Sequence, residues 1–271
     1  MREIVVPLDR SPLAERAVPV AGAVAAETGA AVRLVEVAPA HAPEAAADYL
    51  RATADALLPG SDVDIAVIEA APGASVAETL LGAVGPDPSE ALLCMTTHGR
   101  SGVGSVVLGS TAEGVLRRTR EPLLMVGHRS RLPWPGQGHV LLVPIDGEHL
   151  DHDLMRAVAE VVGRTRLDPV LLKVAHSFDV EDAHHPTAGL DEAAEQLASL
   201  GVEAKVIHRF SSNLPIAIAE VADELGAALI VMATHVAPGA PRVLLGSVTM
   251  RTVHEAPCPT LVYPEASPDP A

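Results

Sequence analysis

The feature that most constrains this chain is that it repeats itself. Met232-Ala233-Thr234-His235 echoes Met95-Thr96-Thr97-His98, and Leu245-Gly246-Ser247 echoes Leu108-Gly109-Ser110, both at an offset of 137 residues. The same offset relates Val6-Pro7-Leu8-Asp9 to Val143-Pro144-Ile145-Asp146, and Glu121-Pro122 to Cys258-Pro259. Four separated coincidences at one spacing mean two homologous halves in tandem. Between these anchors the register slips. Gly85-Pro86-Asp87-Pro88 has no counterpart near Leu225-Gly226, so loops differ where strands hold. At 271 residues, each half is large enough for its own core. The chain divides into residues 1–127, a linker at 128–138, residues 139–264 and a tail at 265–271.

Within the first half, short aliphatic runs alternate with helix-like ones. Glu3 to Leu8 predicts a central strand, and Ser11 a cap for a helix that begins at Pro12, runs to about Glu27 and stops at Thr28-Gly29. Strands follow at Ala31–Val37, Asp62–Ile68, Glu90–Met95 and Pro122–Val126. Helices are expected at Glu44–Leu58, Ala74–Val84 and Ser110 to about Thr119. The second half predicts strands at His139–Pro144, Leu167–Val174, Val202–His208, Ala228–Ala233 and Thr260–Tyr263. Its helices begin at about Leu150 and span Leu190–Leu200, Pro215–Leu225 and Ser247–Glu255. This order with nearly continuous apolar strands predicts an α/β fold of two tandem doubly wound domains. Each is a Rossmann-like, five-stranded, mostly parallel sheet. Ligands bind such sheets beyond the carboxyl ends of the strands, where the strand order reverses. Asp9, Val37 and the loop from Met95 to Ser110 fall at those ends.

That loop carries the chemistry. It reads Met-Thr-Thr-His-Gly-Arg-Ser-Gly-Val-Gly-Ser-Val-Val-Leu-Gly-Ser-Thr from Met95 to Thr111, with a buried strand before it and a helix after it. Glycines let main chain approach a phosphate closely, and the N–H groups opening a helix point at anions. The absence of Gly-Lys-Ser/Thr excludes a Walker loop, and Gly99-x-x-Gly102-x-Gly104 has the wrong spacing for a dinucleotide fingerprint.

Composition narrows the function classes. A formal charge of −16 argues against nucleic acid, whose binding rests on Lys and Arg at phosphates. No apolar run reaches the length of a membrane span, and Met1-Arg2-Glu3 begins no secretory pattern. Two cysteines, Cys94 in a core strand and Cys258 between prolines, suit a reducing compartment. The expected location is the cytoplasm. Aromatics are scarce, and the single Trp134 lies in the linker, where a large ring suits the junction of the halves.

Taken together, the repeat and the loop resemble the universal stress protein family in its tandem form, with a fold similar to that of the adenine nucleotide alpha hydrolases. Members of the family that bind ATP carry G-x2-G-x9-G-(S/T) after the fourth strand and an Asp after the first. The first half matches at Gly99, Gly109 and Ser110 and departs at Thr96, which stands in the place of the first glycine. The resemblance implies an ATP, ADP or AMP site, with or without Mg2+, built from Pro7, Leu8, Asp9, Val37, Met95, Thr96, Gly99, Arg100, Gly109, Ser110 and Thr111. Asp9 would hold adenine or ribose, and Val37 would meet adenine with its backbone. Arg100 is either a neutraliser of phosphate charge or a solvated loop cation. Asp9 is either a ligand contact or a turn residue.

The second half is degenerate. Asp146, Val174, Gly246 and Ser247 are the equivalents that survive, while Ala233 and Val236 replace the leading glycines, and Pro238 and Pro241 remove donors. The expectation is nucleotide mainly in the first domain. His149, His152 and His176, with His184, His185 and His235, follow strand ends in the second half and are candidate ligands for zinc or nickel. Their other reading is plain solvated histidines.

No nucleophile with a neighbouring base is evident. His98 either orients water for slow ATP hydrolysis or shapes its loop. A stress-response module that binds ATP is therefore the first reading, with a slow ATPase or a sensor that binds metal or no ligand as alternatives. A pyrophosphatase of the related fold is disfavoured because its Ser-Gly-Gly loop is missing. Single-domain relatives dimerise through their last strands. A tandem chain then resembles a covalent pseudo-dimer, joined by Leu123–Val126 and Thr260–Tyr263 and open to forming a homodimer as well.

Overall fold

The computed structural model describes residues 1–38, 43–84, 90–97, 109–119, 121–134, 138–146, 151–175, 189–234 and 247–264. In the first half, strands β1 (Glu3–Pro7), β2 (Ala31–Ala38), β3 (Val63–Glu69), β4 (Ala91–Thr96) and β5 (Leu123–Val126) lie in the order β3-β2-β1-β4-β5. All neighbours are parallel. In the second half, β6 (Val140–Ile145), β7 (Asp168–Ala175), β8 (Lys205–Phe210), β9 (Ala227–Thr234) and β10 (Thr260–Pro264) repeat this as β8-β7-β6-β9-β10. The outermost central strands, β5 and β10, pair antiparallel with Leu124 opposite Leu261, so the two halves share one ten-stranded sheet. These are the two strands expected at the junction.

Helices cover both faces. In the first half they are α1 (Pro12–Glu15), α2 (Ala17–Thr28), α3 (Pro43–Leu57), α4 (Val76–Val84) and α5 (Ser110–Leu116). The second half contributes α6 (His152–Thr165), α7 (Leu190–Ser199), α8 (Leu214–Glu224) and α9 (Ser247–Glu255). On one face a single apolar cluster runs across both halves, from Ile4, Val18 and Leu34 through Leu124 to Leu141, Met155 and Leu171. Here α2 packs against α6. The other face has two clusters, one under α4 and α5 and one under α8. Trp134 is buried in the shared cluster and donates its Nε1–H to the Ala228 carbonyl. No helix among the described residues is long and apolar enough to cross a membrane.

Local chemistry explains most boundaries. Ser11 caps α1, its Oγ accepting the Ala14 N–H at 3.1 Å, with Pro12 at the first helical position. Gly29, at φ 72°, ends α2 in the left-handed region that a β-carbon disfavours. The helix expected to run unbroken from Pro12 to Glu27 is two helices. Pro19 has no N–H for the Glu15 carbonyl, and its ring crowds that carbonyl, so the chain breaks at Arg16, whose N–H reaches back to Leu13 in place of Pro12. The helix expected from about Leu150 starts at His152, because Asp151 caps it through the Leu154 N–H at 2.9 Å. The helix after the loop begins at Ser110 as expected and is capped by Gly109. It ends at Leu116, and a tighter turn carries the chain to Thr119.

Candidate functional site

Strand order reverses beside β1, between β2 and β4. There the carboxyl ends diverge and leave a cavity of about 360 Å³, a volume within the range of small-molecule sites. β1 contributes Pro7, with Leu8 and Asp9 beyond it; β2 contributes Glu36 and Val37; and β4 contributes Met95 and Thr96, with Thr97 after it. Gly109, Ser110, Thr111 and Ala112 form the wall where α5 begins, while Val76 and Leu80 of α4 supply an apolar side. Nine of the eleven residues expected of the site therefore line one crevice. Gly99 and Arg100 lie outside the described residues, as does His98.

The base of the loop is fixed. The Gly109 N–H donates to the Thr97 carbonyl at 2.9 Å, and the Thr97 N–H donates to Val126 of β5 at 3.3 Å. This clamp brings the residues on either side of the loop together at the mouth of the crevice. Asp9 is a turn residue at the edge of the cavity. It lines the cavity, and its Oδ1 accepts the Ser11 N–H at 3.1 Å and the Ser11 hydroxyl at 2.6 Å, which positions the cap of α1.

Glu36 is the residue that sequence reasoning missed. It is 6% exposed, and its Oε1 accepts from Arg10 Nε at 2.9 Å. Arg10 has φ 66°, and its guanidinium lies 5.6 Å from the centre of the Tyr49 ring. Tyr49 in turn donates its hydroxyl to Glu15 at 3.0 Å. Burial, and then the bond to the Glu15 carboxylate, push the Tyr49 hydroxyl well above its ordinary pKa. The signal was available as a lone acid inside the run Leu34-Val35-Glu36-Val37-Ala38. Its partner Arg10 lies in the turn between β1 and α1, outside the run.

In the second half three of the four equivalents fall among the described residues. Asp146 is exposed beyond β6, Val174 packs its side chain against the cluster under α8, and Ser247 opens α9. Gly246, Val236, Pro238 and Pro241 lie outside the described residues. Of the candidate metal ligands, His152 is exposed on the first turn of α6, and His149, His176, His184, His185 and His235 are outside the described residues. Among the described residues, no three His, Cys, Asp or Glu side chains are placed to hold a metal ion.

The family model described as "Universal stress protein family" matches residues 1–127 and again 139–264. A universal stress protein of a Synechocystis strain is 32% identical over 136 residues, covering 46% of this chain and 84% of that protein. Among solved structures, a universal stress protein from Archaeoglobus fulgidus superposes with a TM-score of 0.67 at 19% identity, covering 96% of this chain and 97% of that one. A second protein of that organism, solved in complex with dAMP, covers 46% of this chain and 96% of its own at 19% identity and a TM-score of 0.39. The doubled match follows the doubled strand order and the repeated loop. This chain belongs to the universal stress protein family, with two copies of its domain in tandem.

Proposed function

We propose that this protein is a cytoplasmic stress-response module that binds an adenine nucleotide, ATP with Mg2+ or its di- or monophosphate, in the crevice of its first domain. The observation that carries the reading is the convergence of Pro7, Asp9, Val37, Met95, Thr96, Gly109, Ser110 and Thr111 on one cavity of about 360 Å³. Its apolar parts, Val37, Met95, Val76 and Leu80, suit a flat base. The opposite wall offers the main-chain N–H and hydroxyl groups of Ser110 and Thr111 to phosphate oxygens. Asp9 supplies an acceptor for base or sugar. The loop between Thr97 and Gly109, which holds Gly99 and Arg100, is assigned to the polyphosphate because its two ends are clamped beside those residues.

The domains are assigned to residues 1–127 and 139–264, with residues 128–138 as the linker, and nucleotide is assigned to the first. In the second, the loop retains Gly246 and Ser247 but carries Val236 and two prolines. No catalytic residue is assigned. Calorimetric titration of the full-length chain with MgATP tests the reading, and one nucleotide per chain is expected. Asp9→Ala together with Ser110→Ala is expected to weaken binding at least tenfold, the combined loss of a charged acceptor and a phosphate donor. Two equivalent sites per chain, or no heat at millimolar nucleotide, would overturn it.

A further inference from the structure

The two ends of the ten-stranded sheet carry opposite charge. β8 forms one edge and β3 the other, and among the described residues no strand pairs with the outer side of either. β8 reads Lys-Val-Ile-His-Arg-Phe, with Lys205 and Arg209 exposed and no acid, a local reversal in a chain of net charge −16. β3 has Asp64 and Glu69 exposed and no base. Charged edges keep sheets apart when both have one sign. Edges of opposite sign repel their own kind and attract each other. β8 also leaves Phe210 50% and Val206 42% exposed, at alternate positions and so on one side of the strand.

Strand direction and register fit the same pairing. The halves run antiparallel where β5 meets β10. A second copy set beside the first in the same orientation therefore brings its β8 antiparallel to β3, with like faces on the same side. Val206 is in register with Leu171 of the shared cluster, and Arg209 with Val174 on the opposite face. In β3, Val63 and Val67 pack against the shared cluster, and Asp64 alternates with them. The register that sets Arg209 opposite Asp64 also sets Phe210 opposite Val63 and Val206 opposite Val67, which makes cross-strand pairs of matching chemistry. Arg209 already pairs with Glu224, and Asp64 takes Arg33 on Oδ2 at 3.1 Å and the Ile65 N–H on Oδ1 at 2.9 Å. A guanidinium has donors, and a carboxylate lone pairs, beyond these contacts. Joined, they form a row of alternating charge, from Glu224 through Arg209 to Asp64 and Arg33. We propose that β8 of one chain adds to β3 of a second copy, extending the sheet from chain to chain. Such a contact joins two different surfaces and does not close on itself, so the assembly is open-ended. Strand pairing and the apolar pairs hold the copies together. The charges select the unlike edge, since exposed ion pairs contribute little affinity. Nucleotide is not required.

Sedimentation equilibrium of the full-length chain tests this, in about 150 mM salt to screen net repulsion between copies. The weight-average mass is expected to rise with concentration and to pass that of two chains by about 1 mM, the range of weak contacts. Asp64→Arg and Arg209→Glu set like charges against each other, and each alone should weaken association by about tenfold or more. The two substitutions move net charge in opposite directions, so a loss in both is not an effect of net charge. In an equimolar mixture, every contact between the two variants again sets a base against an acid. Association of the mixture should return to within about threefold of the native chain. Both positions are exposed, and thermal melting confirms that each variant is folded. A native chain that stays single to about 1 mM overturns the proposal without any variant, as does a mass that levels off at two chains. A folded single variant that associates as the native chain does, or a mixture no stronger than its components, also overturns it.

Discussion

Arg10 occupies a left-handed backbone conformation that costs a residue with a β-carbon about 1–2 kcal/mol. It holds there because its guanidinium bridges Glu36 and the face of Tyr49. Arg10→Ala keeps the strain and strips the buried carboxylate of its counter-ion. We expect a loss of about 1–2 kcal/mol, limited because Arg10 itself is partly solvated. Arg10→Ala combined with Glu36→Leu should cost less than Arg10→Ala alone, since no uncompensated charge remains. Urea midpoints of the two variants check the order. At the same scale, burial raises the Cys258 thiol from 9.0 to about 12, opposed by nearby Arg131. Burial likewise pushes Cys94 and Tyr263 up. These groups stay neutral in the folded chain while the unfolded chain ionises. Their contribution is therefore complete below the unfolded thiol's pKa and shrinks as pH rises toward 12. Urea midpoints should fall between pH 9 and 11, and Cys258→Ala should flatten the fall. That Asp9, Met95 and Ser110 would meet at one crevice was legible because repeated motifs mark them, and Val37 because the family resemblance does. Glu36 was not. Between Val35 and Val37 it reads as the outward member of a strand, and only the turn that carries Arg10 against it shows otherwise.

The elements were legible where a cap or stop is written locally. Ser11-Pro12 opens α1 and Gly29 closes α2 as read, whereas α4, expected from Ala74, starts at Val76 behind Ser75 and Glu78, each side chain bonding the other's N–H. The split at Arg16 was missed because Pro19, four residues beyond Glu15, acts backward on a carbonyl rather than at its own position. Close approaches between strand ends and the helices packed on them were not readable. Gly127, at the end of β5, runs so close to α9 that an added β-carbon would sit 2.3 Å from the Val253 carbonyl oxygen. Main chain cannot yield cheaply, so Gly127→Ala should destabilise by about 1–3 kcal/mol. Gly163, inside α6, faces open space, and Gly163→Ala should instead stabilise by about 0.5–1 kcal/mol. Paired melting curves distinguish a packing constraint from a general effect of removing glycine.

At the scale of the molecule, the repeat made two α/β halves and their junction strands legible, but not the unity of the core. The shared cluster joins α2 to α6 across the midline and takes in Trp134, the linker ring expected at the junction of the halves. Such a core has no weak plane along which one half could melt first. Calorimetry should show one transition with matching calorimetric and van't Hoff enthalpies. Two resolved transitions would mean that the halves are energetically separate.

The antiparallel seam of β5 and β10 also has a consequence for the living cell. Subunits that meet across such a seam separate on dilution, and their pairing follows how many copies are made. A peptide tether raises the local concentration of each half around the other to a fixed value. The two crevices are therefore supplied in a strict one-to-one ratio at any level of expression, so that each was free to diverge without ever meeting a partner of its own kind across this seam.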